Sequence, residues 1–149
     1  MIELLFDDSN VQSALDYLLN KGDTCGYDGI TTQQLPEYLK LNKDVLFGSI
    51  LDGSYHPGYV TQFEIVNKKG KSRTVSKYNS VDRFVAQLVY QVIYPVIDPL
   101  MVDESYAYQK GKSVLSAVQK SREHILDGYK FVITVDFNDY FGSIDHALL

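Results

Sequence analysis

The fold class follows from residues 59–76, which read YVTQFEIVNKKGKSRTVS. Residues 59–66 are rich in β-branched and aromatic side chains, residues 67–70 are typical of a turn, and residues 71–76 can form a returning strand. In such a strand Lys71 and Arg73 lie on the same face, because side chains alternate between the two sides. The stretch therefore predicts a β-hairpin with two cations on one face, suited to a triphosphate or a nucleic-acid backbone. A merely solvated hairpin is the alternative.

Helices are predicted on both sides of this hairpin. Apolar side chains at helical spacing predict a helix over about Ser9–Leu19. Two short helices are expected near Gln33–Leu39 and Lys43–Leu51. A long helix should begin at a cap formed by Asn79-Ser80, and Pro95 and Pro99 should end or bend it. Another helix is expected from Ser113 to about Leu126. Together with the hairpin, these elements predict an α+β fold.

Residues 131–141 read FVITVDFNDYF and carry the sharpest chemical signal. The unbroken apolar run of residues 131–135 predicts a short buried strand, and Asp136 lies where that strand ends. A carboxylate in such a place is costly unless a partner compensates its charge. Mg²⁺ is one such partner, since it favours oxygen ligands. An Asp that caps the following turn through its own backbone is an equally good interpretation of the residue taken alone.

The composition limits the possible classes of protein. The chain has 149 residues, a net charge of −5 and a single cysteine, Cys25, which excludes an internal disulfide. No apolar run approaches the roughly 20 residues of a membrane span, and a cytoplasmic location is expected. Residues 67–83 are basic although the first 52 residues are acidic, so a polyanion can be held locally by an acidic chain.

The order of several short blocks along the chain resembles reverse transcriptases of the group II intron type. The blocks are Gly26-Tyr27-Asp28-Gly29, Gly53-Ser54-Tyr55-His56-Pro57, Gly70-Lys71-Ser72-Arg73, Asp82-Arg83 with Gln87, Ser105 to Ser113, and Asp136-Phe137-Asn138-Asp139-Tyr140-Phe141. The resemblance implies the fingers and partial palm of a right-hand polymerase. Residues 1–104 would form the N-terminal extension and fingers, and residues 105–149 the fingers–palm junction with the first catalytic block.

The resemblance also implies roles for individual residues. Asp136 would be the first catalytic aspartate and a ligand of Mg²⁺, helped by the backbone carbonyl of Phe137. The incoming deoxynucleoside triphosphate would lie beside Asp139, Tyr140 and Phe141. In the hairpin, Lys71 and Arg73 would contact the triphosphate and the template base. The implied reaction is RNA-directed DNA synthesis, in which an RNA template directs extension of a DNA primer by two-metal phosphoryl transfer.

The sequence also departs from the family's pattern. The usual lysine before the hairpin turn is replaced by Asn67, which leaves Lys68 or Lys69 as substitutes. The family's second acidic block, an aromatic-x-Asp-Asp, is expected after Leu149 together with the rest of the palm and the thumb. We therefore expect the 149 residues alone to be inactive in polymerisation. The alternative is a non-catalytic RNA-binding, maturase-like or defence-associated module derived from a reverse transcriptase.

Overall fold

A computed structural model of the chain describes residues 2–68, 70–140 and 142–148. Two predicted positions, Lys69 and Phe141, lie outside the described residues. The α-helices and strands are α1 Ile2–Leu5, α2 Asp8–Asn20, α3 Leu35–Leu51, β1 Thr61–Val66, β2 Ser72–Lys77, α4 Ser80–Ile97 and α5 Val114–Leu126, with 3-10 turns at Thr32–Gln34, Asp98–Leu100 and His146–Leu148. The chain is mixed α+β, as predicted, and divides into two compact units, Met1–Met101 and Val102–Leu149.

The first unit has a three-helix core. Each of α2, α3 and α4 contributes four buried apolar side chains: Val11, Ala14, Leu15 and Leu18; Leu35, Leu39, Leu46 and Phe47; Val81, Phe84, Val85 and Leu88. These positions recur every three or four residues, which gives each helix one apolar face. Phe84 is fully buried and lies at the centre of the α4 face.

Helix α3 corrects one prediction. Two short helices were expected near Gln33–Leu39 and Lys43–Leu51, but the structure has one continuous helix, Leu35–Leu51. The residues between the two predicted helices, Lys40-Leu41-Asn42, include neither glycine nor proline. Nothing in them interrupts a helix whose two ends pack on the same core.

The predictions for α2, α4, α5 and the hairpin are confirmed with small changes of boundary. Helix α4 begins after Asn79, but the Asn79 side chain makes no capping hydrogen bond, so the expected side-chain cap is not formed. The helix continues through Pro95 and ends at Ile97, two residues beyond the proline that was expected to end or bend it. The hairpin strands pair antiparallel, with Ile65 opposite Arg73 and Phe63 opposite Val75. The turn closes with Gly70, whose φ of 76° suits a residue without a Cβ.

The second unit contains α5, whose N-terminus is capped by the Ser113 hydroxyl, which accepts a hydrogen bond from the Ser116 N–H at 3.2 Å. The predicted buried strand at residues 131–135 is wrong. Those residues have no regular secondary structure, and Phe131 and Ile133 are 94% and 87% exposed. A strand needs a neighbouring edge for its backbone N–H and C=O groups. The sheet found among the described residues is the two-stranded β1–β2 hairpin alone.

Candidate functional site

The hairpin has two chemically different faces. Alternation along the paired strands places Arg73, Val75 and Lys77 of β2 on the same face as Phe63 and Ile65 of β1. Phe63 is 45% exposed and Ile65 is 39% exposed, so this face offers an aromatic and aliphatic surface flanked by two cations. We call it the cationic face of the hairpin.

The opposite face carries the acid of the hairpin. Glu64 lies there and accepts a hydrogen bond from the Ser72 hydroxyl at 2.9 Å, and Gln62 donates one to the Ser76 hydroxyl at 3.4 Å. The alternation thus keeps the Glu64 carboxylate away from Arg73 and Lys77. An anionic ligand on the cationic face would not meet a carboxylate of the same strands.

Lys71 lies immediately before β2, in the turn, and is exposed. Its backbone N–H donates to the Asn67 Oδ1 at 3.0 Å, and its carbonyl accepts from the Asn67 N–H at 3.0 Å. Asn67, which stands where the family usually has a lysine, therefore has a structural role in closing the turn. The backbone of Lys71 is fixed by these bonds, and the residue is exposed immediately before β2.

Both ends of the hairpin are attached to the first turn of α4. The Asp82 carboxylate accepts hydrogen bonds from the Tyr55 hydroxyl and, at 3.1 Å, from the Gly58 N–H just before the hairpin. Asn79, just after the hairpin, is 6% exposed. Its Oδ1 accepts a hydrogen bond from the Asp28 N–H at 3.3 Å. The start and the end of the hairpin segment are therefore held within one turn of the same helix.

The glycine-rich turn at residues 26–29 packs against this anchor. A Cβ at position 26 would lie 2.5 Å from the Cα and 2.7 Å from the backbone N of Asn79, so only glycine fits. The Ser80 hydroxyl, at the start of α4, lies 3.0 Å from the Thr24 carbonyl oxygen and 2.8 Å from that of Ile30, and its single proton is shared between these two acceptors. Residues 26–29 are thus a packing element.

Burial is the main cause of a raised pKa at Tyr55, and the hydrogen bond to Asp82 and the charge of that carboxylate act in the same direction. The raised pKa means that the hydroxyl keeps its proton, and so its hydrogen bond, throughout the neutral range. The Tyr55–Asp82 contact is therefore a stable part of the hairpin anchor.

In the second unit, Asp136 is exposed and lies in the irregular segment that follows residues 131–135. Its side chain makes no hydrogen bond or ion pair with the residues that the structure describes. The alternative interpretation, a carboxylate occupied in capping its own turn, finds no support in these contacts. Asp136 is available to a ligand.

Residues 138–140 and 142–143 lie in turns just after Asp136. The rings of Phe137 and Tyr140 lie 5.8 Å apart, and the Ser143 N–H donates to the Asp139 carbonyl at 3.0 Å. Asp139 has a φ of 47° and its carboxylate lies against Gly142, where a Cβ would collide with it. Asp139 and Tyr140 lie in the turn at residues 138–140, and Phe141, the third residue expected beside the nucleotide, lies outside the described residues.

The carboxylates do not by themselves form a complete cation site. No group of three or more His, Cys, Asp or Glu side chains suitable for a metal ion occurs within residues 2–68, 70–140 and 142–148. Two-metal chemistry needs carboxylates from neighbouring segments around both ions. Asp136 supplies one such group, so the described residues do not fit a bound Mg²⁺ without further ligands.

The comparisons with known proteins leave the family unassigned. No protein-family model matches the chain, and no curated protein matches it significantly. None of the helices in the described part of the chain is both long enough and apolar enough to cross a membrane.

Sequence reasoning missed the part that Phe63 and Lys77 play in the cationic face. Strand alternation contained the signal, because both residues share the odd-numbered register of Arg73. It also missed that Asn79 contacts Gly26 and Gly58. These contacts join segments that are far apart in sequence, so no local sequence pattern indicates them.

Proposed function

We propose that the chain is the N-terminal part of an RNA-directed DNA polymerase, comprising the fingers and the start of the palm. The observation that most supports the nucleotide- or template-binding part of this proposal is the cationic face of the hairpin. It combines Arg73 and Lys77 with an exposed aromatic ring, excludes the one acid of the strands, and is held at both ends by α4. A nucleoside triphosphate or a template strand has the matching chemistry, an anionic chain attached to flat bases.

The residues would act mainly by positioning. Arg73 would bind phosphate oxygens through its planar guanidinium, and Lys71 would add a mobile positive charge at the turn. The reaction joins the primer 3′-oxygen to the α-phosphorus of a deoxynucleoside triphosphate and releases pyrophosphate. Asp136 would lie at the reacting phosphate once further carboxylates of the polymerase complete a Mg²⁺ site.

The exposed apolar run at residues 131–135 supports an incomplete palm. Four of its five residues, Phe131, Val132, Ile133 and Val135, are more than four-fifths exposed. Covering each would contribute about 1.5–3 kcal/mol. We propose that the missing palm and thumb segments supply both the neighbouring strand and the remaining carboxylates, so that these 149 residues alone do not extend a primer.

Primer extension on an RNA template tests this proposal. We would compare the 149-residue chain with the same chain continued through its downstream coding sequence. The longer protein should extend the primer, and Asp136→Ala in it should abolish extension while template affinity stays unchanged. Asp127→Ala, which removes an exposed carboxylate at the end of α5, is the matched control and should retain activity. Extension by the 149 residues alone, or full activity of Asp136→Ala, would refute the proposal.

The second candidate function is a non-catalytic RNA-binding module. The cationic face of the hairpin suits it as well, because RNA binding needs cations and exposed rings but no carboxylate. In that case the Arg73→Gln variant should weaken RNA binding and flatten its salt dependence. The Asp136→Ala variant should then leave every measurable function unchanged, which separates this candidate from the polymerase.

A further inference from the structure

A second surface of the first unit carries the chemistry of a nucleic-acid site. It is an open groove of about 680 Å³ between the C-terminal half of α2 and the middle of α4. Two tyrosines, two cations and one amide line it, with Leu18 and Ala86 between them: Tyr17, Lys21, Arg83, Gln87 and Tyr90. Its volume lies within the range of small-ligand sites.

Helical spacing brings these side chains to one side. Tyr17 and Lys21 are four residues apart at the end of α2, and Arg83, Gln87 and Tyr90 lie at positions i, i+4 and i+7 of α4. Such spacings place side chains on one face of a helix. Because α2 and α4 pack through the shared core, the two faces meet along the groove.

The groove is positive although the chain is acidic. It contains the ammonium of Lys21 and the guanidinium of Arg83, and no carboxylate belongs to its lining. The nearest acid along α2, Asp16, accepts a hydrogen bond from Gln12, one turn back along the helix. Arg83 is oriented by a hydrogen bond to the Thr24 hydroxyl, which uses one of its five N–H donors.

The aromatic rings are partly exposed, and the Tyr90 ring also lies 5.2 Å from the Tyr94 ring. Tyr17 and Tyr90 are 45% and 44% exposed, and the Lys21 ammonium lies 5.1 Å from the centre of the Tyr17 ring. Exposed rings beside cations bind unpaired bases and their phosphates without strong sequence preference. Paired bases cannot stack in this way, because their faces are already covered in the duplex.

We propose that this groove binds single-stranded nucleic acid. Lys21 and Arg83 would contact phosphates and Tyr90 would stack on a base, while the Gln87 amide N–H donates to the Gln91 Oε1 at 3.0 Å along α4. The groove is separate from the cationic face of the hairpin and requires neither Asp136 nor polymerase activity. The inference therefore stands or fails independently of the proposed function.

Fluorescence anisotropy with the 149-residue chain and a short labelled oligouridylate tests the site. Tyr90→Leu should weaken binding by about 5- to 150-fold, whereas Tyr90→Phe should keep the affinity because it keeps the ring. Lys21→Gln should lower the slope of log affinity against log salt by about 0.7, the contribution of one single-strand phosphate contact.

Matched controls exclude general effects of charge and ring loss. Lys40→Gln removes an exposed lysine of α3, and Tyr108→Leu removes a fully exposed tyrosine of the second unit. Both should bind as the unaltered chain does. Thermal unfolding of each variant verifies that the first unit remains folded.

Three results would overturn the inference. One is wild-type affinity in both Tyr90→Leu and Lys21→Gln. Another is equal loss in Tyr90→Phe and Tyr90→Leu, which would indicate a role for the hydroxyl in packing instead of stacking. The third is equally tight binding of a duplex of the same length. If the groove variants bind normally and only the hairpin variant Arg73→Gln loses affinity, the first of these results is obtained. The oligonucleotide would then bind to the hairpin.

Discussion

Replacing Gly26 by alanine tests the anchor that holds the hairpin on α4. The new Cβ would lie 2.5 Å from the Cα and 2.7 Å from the backbone N of Asn79. Ordinary van der Waals contact begins near 3.4 Å. The two backbones must therefore separate by roughly 1 Å, and no side-chain rotation can relieve the overlap.

The expected cost follows from two contributions. Overpacking of a rigid contact costs about 1–3 kcal/mol. Moving Asn79 also weakens its hydrogen bond with the Asp28 N–H, which adds about 0.5–1.5 kcal/mol. We expect Gly26→Ala to reduce the free energy of unfolding by about 2–4 kcal/mol, which lowers the melting temperature by roughly 10–20 °C for a unit of this size.

Gly48→Ala is the matched control within the same unit. Gly48 lies inside α3, and nothing comes within 4 Å of a Cβ placed there. Alanine should stabilise the helix by about 0.5–1 kcal/mol. Circular dichroism at the helical band, followed through heat and urea unfolding, measures both variants. If Gly26→Ala unfolds within about 0.5 kcal/mol of the unaltered chain, the close approach to Asn79 is wrong.

Two further predictions concern the same unit. Tyr55→Phe should lower the free energy of unfolding by about 1 kcal/mol at pH 7, since it removes a hydrogen bond to a carboxylate. The folded-state pKa of Tyr55 is raised, so this stabilisation is complete below the ordinary tyrosine pKa of about 10 and is lost as pH rises above it. Urea unfolding of both proteins at neutral and alkaline pH should show the difference shrinking, and a constant difference would contradict the assignment. Phe84→Ala should cost about 3–5 kcal/mol, because Phe84 is fully buried among three helices. Calorimetry measures the loss, and a cost below about 1 kcal/mol would show that the three-helix core is misplaced.

Elements with strong local signals could be predicted from the sequence. Helix α2 has a regular apolar stripe, α5 has its Ser113 cap, and the hairpin combines β-forming residues with a glycine turn. The prediction of two short helices in place of α3 was wrong, because Lys40-Leu41-Asn42 interrupts the apolar spacing only weakly. Packing of both halves on one core decided in favour of a continuous helix.

Elements that depend on distant partners could not be predicted with the same success. Residues 131–135 have the composition of a buried strand, yet composition does not supply a neighbouring edge. The α2–α4 groove is the converse case: Arg83 and Gln87 stood out only as part of one sequence block, and only the packing of two helices brings Lys21 near Arg83.

The blocks that suggested a polymerase differ in what they do physically. Gly26, Tyr55 and Asp82 come from three of those blocks and converge on the first turn of α4, where they contribute packing and hydrogen bonds. Together these residues determine how the hairpin is attached to α4. A binding module and an enzyme would both need this attachment. The case for catalysis therefore depends on Asp136, whose exposed carboxylate without a hydrogen-bond partner among the described residues has no structural task that would explain it. Arg73 fits either function, so a variant at Asp136 discriminates between them and a variant at the hairpin does not.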